Sequence, residues 1–430
     1  MPDHSLHARR IEPRLVEALE DSPVVLIEGP RQCGKTTFAQ MVCAPGFLPG
    51  GAQDAEAGRS YGYVNFDNDV VRAGAEADPL GFVADLPERV VLDEVQRVPG
   101  LFTALKLDVD RRRAPGRFVL TGSTRVLAVP TIADSLAGRL ETIRLHPLAQ
   151  RELEADRPTG DGFIGALFGS GFPQREVERL GPELAERIVG GGYPPALARP
   201  AGRRRANWYR NYIEAQVQRD VADMARIAGL DALPRLLSLA ATHTARLFNL
   251  SRLATQFQLS RPTIGSYILL LERVYLLERL PPWHSNRLRR LIKTPKLHVG
   301  DTGLACALLG ATAATLHADR PLLGQLLETF VFQELRRQAS WRPDPVQFSH
   351  YRDRDQVEVD IVAEQGGLVA GIEVKAAATV TASDFRGLRK LRDAVGGRFA
   401  AGVVLYDGES SVGFGEGLHA VPVRLLWETP

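Results

Sequence analysis

The stretch Val24-Val25-Leu26-Ile27-Glu28-Gly29-Pro30-Arg31-Gln32-Cys33-Gly34-Lys35-Thr36-Thr37 decides the fold. Its first four residues form an unbroken apolar run, which suits a short strand buried on both faces. Gly29 to Thr36 then spell GxxxxGK[ST], in the strand–loop–helix setting that a phosphate-binding loop requires. Glycines let the backbone wrap so that successive N–H groups point at phosphate oxygens. The following helix adds the positive end of its dipole. Lys35 is therefore expected at the β- and γ-phosphates and the Thr36 hydroxyl on Mg²⁺. Gly29, Pro30, Arg31, Gln32, Cys33, Gly34 and Thr37 complete a nucleotide cradle. ATP and Mg²⁺ are the expected ligands.

Three more apolar runs extend this pattern: Tyr63–Phe66, Val90–Leu92 and Phe118–Leu120. Short buried strands alternating with helical stretches up to about residue 150 are the signature of an α/β fold. The second and third runs carry chemistry at their ends. Val90–Leu92 delivers Asp93 and Glu94, with Asp93 suited to Mg²⁺ and Glu94 to polarising the attacking water. Phe118–Leu120 leads to Thr121 and Ser123, which either sense the γ-phosphate or cap the next helix.

Gly29–Thr37, LDEVQRVPGLFTALKLDVD (92–110), FVLTGS (118–123) and SLAGR (135–139) together resemble a family of bacterial and archaeal AAA+-type ATPases. In these proteins an ATPase domain is joined to domain of unknown function 4143. The similarity continues through GGYP (191–194), NWYRNYIEAQVQRDV (207–221), PKLHVGDTGLA (295–305) and GQLLETFVFQEL (324–335). It covers nearly the whole chain. It implies a role for Arg139 as an arginine finger or sensor, with a structural ion pair as the alternative.

The remainder of the chain reads as three segments. Residues 151–235 look like a helical lid or connector. In 236–300, helices are expected at Arg235–Leu247, Ser251–Phe257 and Arg261–Leu277, punctuated by Ser260 and Pro262. Short helix, turn and longer helix followed by a basic run is a winged-helix-like arrangement, with Thr263, Ser266 and Tyr267 on an exposed face. The basic run carries Arg287, Arg289, Arg290, Lys293 and Lys296 without an acidic residue, so it suits phosphate-backbone contact. Such modules also dock proteins.

Residues 301–430 hold a carboxylate constellation. Period-two alternation puts Glu358 and Asp360 on one face of VEVDIV, and Glu373 and Lys375 on one face of GIEVKA. Asp360, Glu373 and Lys375 make the D…ExK set of PD-(D/E)xK nucleases, in which the carboxylates bind Mg²⁺ and the lysine activates water. Glu328 is expected to join them from the helix LLGQLLETFVFQELRRQ (322–338), with Glu334 on the solvent side.

The 430 residues exceed one ordinary core, and 24% charged with 44% hydrophobic is soluble globular composition. No apolar run approaches the ~20 residues of a membrane span, and the N-terminus lacks a leader's apolar core. Three cysteines without CxxC spacing imply neither disulfides nor zinc, so the cytoplasm is expected.

The fold class is thus α/β. An AAA+-like P-loop parallel sheet in 1–150 precedes a helical and winged-helix region and a C-terminal α/β nuclease-like domain. The expected function is Mg²⁺-dependent ATP hydrolysis coupled to engagement of nucleic acid, DNA foremost, with cleavage left open. The alternative is a nucleotide-dependent switch that docks proteins and carries an inactive nuclease-like domain. Oligomers are compatible with either.

Overall fold

The computed structural model describes residues 7–44, 47, 60–123, 136, 138–154, 160–221, 232–284 and 294–430. The chain divides into two compact units. One comprises Ala8–Pro147 with Arg273–Tyr275, and the other chiefly Leu148–Glu272 with Leu276–Pro430.

The first unit is built on five parallel strands in the order β2-β3-β4-β1-β5. They are β1 (Val24–Glu28), β2 (Gly62–Asn65), β3 (Val90–Asp93), β4 (Phe118–Gly122) and β5 (Leu140–Arg144). The apolar runs form the central strands, where Val24–Ile27, Val90–Leu92 and Phe118–Leu120 are fully buried. Two helices bear on the site: α1 (Lys35–Val42), which follows the phosphate-loop sequence, and α2 (Leu101–Arg111). Phe102 and Leu105 of α2 pack with Leu26, Leu92 and Leu120 into one core. Because every strand runs the same way, the loops after β1, β3 and β4 gather at a single sheet edge, where ligands bind in open α/β sheets. Strand β5 has no apolar run to announce it. LETIR is a partly exposed edge strand that, among the described residues, pairs with β1 alone.

The second unit contains two sheets among its described residues. A small antiparallel sheet has the order β7-β9-β8, formed by β7 (Arg246–Leu247), β8 (Leu277–Leu280) and β9 (Lys296–Val299). Before it come α3 (Arg203–Ala215) and α4 (Ala232–Thr242), and between β7 and β8 lie α5 (Leu250–Phe257) and α6 (Arg261–Arg273). Helix α6 ends four residues before the expected Leu277, which instead opens β8. The apolar run of 268–277 suits helix and strand alike, and Tyr275, at φ +63°, breaks it. Tyr267 is buried rather than exposed.

Helices α7 (Thr302–Leu309) and α8 (Arg320–Ser340) lead into a seven-stranded sheet. Its order is β10 (Gln347–Arg352), β11 (Glu358–Gln365), β12 (Leu368–Lys375), β13 (Phe399–Tyr406), β15 (Leu418–Pro422), β14 (Ser410–Gly413) and β6 (Arg175–Glu176). The first three strands form an antiparallel meander. Helix α9 (Arg386–Val395) then crosses to β13, which pairs with β12 in parallel. Among the described residues no helix is long and apolar enough to cross a membrane.

Candidate functional site

The loop between β1 and α1 is shaped by two backbone requirements. A Cβ on Gly29 would lie 2.1 Å from the Leu145 carbonyl oxygen, and Gly34 sits at φ +103°. Both positions therefore demand glycine. Arg9 ties the loop down, donating to the Cys33 carbonyl at 3.0 Å and the His146 carbonyl at 2.6 Å. Cys33 is fully buried with its thiol donating to the Leu145 carbonyl, and burial pushes its pKa up. It is a packing residue of the cradle, not a nucleophile. Lys35 is buried and folds back along the loop, its ammonium donating to Gly29 O at 3.0 Å and Pro30 O at 2.9 Å.

At the same edge, β3 and β4 bring their terminal residues together. Asp93 is almost completely buried and surrounded by hydroxyls. Thr36 donates to its Oδ2 at 3.0 Å, Tyr63 donates to the same oxygen at 2.7 Å, and Thr121 donates to Oδ1. Burial and the Asp93 carboxylate raise the Tyr63 pKa, so Tyr63 stays a neutral donor. Glu94 follows in left-handed backbone at φ +59°, an uncommon conformation for a non-glycine residue. Its amide donates to Thr121 Oγ1 at 2.9 Å. Its carboxylate accepts from Ser123 Oγ at 2.7 and 2.8 Å and from Gln96 Nε2. The strained turn aims Glu94 back over the strand ends.

Thr36, Asp93, Glu94, Thr121 and Ser123 thus share one hydrogen-bonded cluster, and Lys35 precedes Thr36 at the start of α1. Tyr63, Gln96 and Arg9 were not anticipated. Tyr63 gave a faint signal, a polar tip inside an apolar run one strand away from Asp93. A Mg²⁺ site is compatible with this donor set: the Thr36 hydroxyl and an Asp93 carboxylate oxygen lie side by side, as a hard cation sharing phosphate oxygens needs.

Arg139 is not part of this cluster. It precedes β5, whose register pairs Leu140 with Val24 at the start of β1, whereas the loop begins beyond Glu28. Four residues at about 3.3 Å each, ~13 Å, separate the two sheet edges. There Arg139 donates to both oxygens of Asp110 on α2, at 2.6 and 3.1 Å, and this holds the Asp110 carboxyl below its usual range. Of the expected roles, the ion pair is the one present.

In the second unit Glu328, Asp360, Glu373 and Lys375 do converge. Strand register pairs Ile361 with Ile372, so Asp360 and Glu373, one step on in each strand, share the opposite face. The Val374 amide donates to Asp360 Oδ2 at 3.0 Å, and Lys375 Nζ donates to Glu373 Oε1 at 2.8 Å. Burial, with the neighbouring Asp360 carboxylate, pushes Glu373 up to about 8. Burial and Asp360 likewise raise Glu328.

Lys296 requires a correction. It was assigned to the basic run, but β9 turns it inward, 3% exposed, to donate to Glu328 Oε1 at 2.7 Å and Asp360 Oδ1 at 3.1 Å. It cannot meet a phosphate backbone from there. Arg287, Arg289, Arg290 and Lys293 lie outside the described residues. Glu334 is a second correction. It is fully buried, not solvent-facing, because α8 is enclosed on nearly all sides. Among the described residues no group of three or more His, Cys, Asp or Glu side chains is arranged to hold a metal ion.

The family models match in the order that these sites follow. An AAA domain matches residues 21–154, a domain of unknown function, DUF8612, matches 181–315, and another, DUF4143, matches 323–426. The chain is similar to Uncharacterized protein Rv2008c of Mycobacterium tuberculosis and Uncharacterized protein Mb2031c of Mycobacterium bovis. Each is 30% identical over 419 residues, which is 97% of this chain and 83% of the relative. A solved structure, protein VC1899 from Vibrio cholerae, aligns over 94% of this chain and 96% of its own at 12% identity. Its TM-score of 0.20 is too low to bear on the fold. Phosphate loop, parallel sheet and family models agree: the chain belongs to the family of AAA-domain proteins that also carry DUF4143.

Proposed function

We propose that this protein is a Mg²⁺-dependent ATPase whose nucleotide state governs the engagement of a partner by its C-terminal unit. The observation that carries the hydrolytic reading is the hydroxyl-bound pair Asp93 and Glu94, with the Thr36 hydroxyl of the loop on Asp93. When bound, Mg²⁺ would neutralise charge developing on the phosphates. Thr36 and Asp93 would hold it. Lys35 exchanges loop carbonyls for phosphate oxygens. Glu94, anchored by Ser123 and Gln96, accepts the proton of the attacking water, and its left-handed backbone fixes the direction of approach. The direct test is a pair of substitutions. Lys35→Ala should lose nucleotide binding, while Glu94→Gln should bind ATP and fail to turn it over. Equal hydrolysis by wild type and Glu94→Gln would remove Glu94 from this role.

On the partner, nucleic acid and protein are the readings the sequence leaves open. Among the described residues of 232–299, three helices and a three-stranded antiparallel sheet support the winged-helix-like reading. Its basic run falls between β8 and β9, where a wing would lie. The meander, crossover helix and parallel fourth strand of β10–β13 support a nuclease-like fold, whose cutting activity is a separate matter.

A further inference from the structure

Buried charges in proteins are paired with opposite charges or with a metal ion. Glu328, Asp360 and Glu373 must therefore have cations, and each of them already has one within the chain. Lys296 bridges Glu328 Oε1 and Asp360 Oδ1, and Lys375 holds Glu373 Oε1. Asp360 Oδ2 is taken by the Val374 amide. Among the described residues Glu373 Oε2 is the buried oxygen of these carboxylates without a partner. A hard divalent ion needs several oxygens at about 2.0–2.6 Å, whereas one oxygen of each of these three carboxylates is already held by a lysine ammonium.

We infer that the Glu328–Asp360–Glu373–Lys375 cluster is not a divalent-metal nuclease centre but a lysine-balanced ion cluster, in which the Lys296 ammonium stands where a metal ion would. Lys296 comes from β9 of the small sheet, while the carboxylates come from α8 and the large sheet. The cluster accordingly fastens these elements together. An ammonium between two carboxylate oxygens excludes a divalent ion in two ways, by occupying the space and by like-charge repulsion. Two carboxylate oxygens, at 2.7 and 3.1 Å, hold the Lys296 ammonium in that place. No cleavage of DNA or RNA runs through these residues. The inference is independent of the ATPase reading, since no residue of the first unit takes part.

The test is Mn²⁺ binding by the full chain without nucleotide, followed by electron paramagnetic resonance. Asp93→Asn serves as the background that quiets the nucleotide site. On that background neither Asp360→Asn nor Glu373→Gln should change the Mn²⁺ isotherm, because the cluster binds none. Lys296→Met should gain a Mn²⁺ site, roughly tenfold or more tighter than the background, once the repelling charge is gone. Adding Asp360→Asn should abolish that gain. Mn²⁺ binding that falls on Asp360→Asn while Lys296 is present would overturn the inference, as would a folded Lys296→Met protein that gains no site. Should Lys296→Met not fold, the comparison of the background with its Asp360→Asn and Glu373→Gln derivatives decides alone.

Discussion

Replacing Thr121 by valine, nearly its isostere, isolates the hydroxyl that joins the two acidic residues of the nucleotide site. Thr121 is fully buried, donates to Asp93 Oδ1 and accepts from the Glu94 amide at 2.9 Å. Valine leaves one carboxylate oxygen and one amide without these partners. Each buried group so abandoned costs about 1–3 kcal/mol. Partial relaxation makes ~2–4 kcal/mol the expected total. For a unit of this size that is a melting temperature lowered by roughly 5–15 °C. The rate should suffer more. Glu94 holds left-handed backbone at φ +59°, a conformation that costs about 1–2 kcal/mol and that the bond to Thr121 helps to offset. Released, the carboxylate shifts, and a displacement of ~1 Å is worth about 10²-fold in turnover. Thr121→Ser keeps the hydroxyl and should retain most of both properties. Thermal melting and steady-state ATP hydrolysis on the three proteins suffice. A Thr121→Val protein that melts and turns over like the parent, or a Thr121→Ser protein as damaged as Thr121→Val, would refute the reasoning.

Arg139→Ala should scarcely move the melting temperature, because its Asp110 partner is solvent-screened. If Arg139 serves a neighbouring copy as a finger, kcat should fall about 10³-fold or more; unchanged kcat in a concentrated sample would leave it as the partner of Asp110. Reversing the charges of Arg289, Arg290 and Lys293 should weaken nucleic-acid binding and flatten its salt dependence. Unchanged affinity and slope would favour protein docking. Glu334 supplies a pH effect. Burial pushes it from 4.5 up to about 7, so the folded state holds a proton that the unfolded state has lost between those values. Stability should fall as pH climbs through that window, by on the order of 1 kcal/mol per unit or less, and Glu334→Gln should flatten the slope measured by denaturant titration.

The nucleotide site was legible because its chemistry is contiguous along the chain. A phosphate loop spans eight residues, and Asp93 and Glu94 close an apolar run that cannot be mistaken. Only the parallel register was needed to bring them together. Residues whose role depends on distant pairing were harder to read. The edge position of Arg139 follows from β5, which has a mixed sequence and no periodic signal. Lys296 was misread because counting cations along 285–296 cannot distinguish a solvated arginine from a lysine that begins a buried strand. Period-two alternation succeeded for Asp360, Glu373 and Lys375, since β11 and β12 each have one apolar face. The helical wheel failed for Glu334 because it presupposes a solvent side. In α8, Gln333, Glu334, Arg337 and Gln338 are all buried, and polar residues there mark buried partners instead of water.

Those partners explain why the scattered motifs of the second unit belong together. Arg337 donates to Glu334 Oε1 at 2.7 Å, Asp301 Oδ2 at 2.9 Å and the Leu148 carbonyl at 2.9 Å. Glu334 Oε2 accepts from the Gln150 amide, while Asp301 accepts from the Gly192 and Gly303 amides. Tyr209 donates to the Gly190 carbonyl and packs where any side chain on Gly303 would have to sit, 2.4 Å from its ring. GGYP, NWYRN, GDTGLA and ETFVFQEL therefore meet at one buried ion network. Such a network is tolerated only when its members are satisfied, because removing Arg337 would strand two buried carboxylates. With the Lys296 cluster at Glu328, six to nine residues before Glu334 and Arg337 on the same helix, this gives α8 two ion clusters. One is anchored to the helical segment and the other to the large sheet. A helix enclosed by polar locks on both sides cannot slide by a turn without unpairing charge. Any motion of α8 must then carry its neighbours with it as one piece.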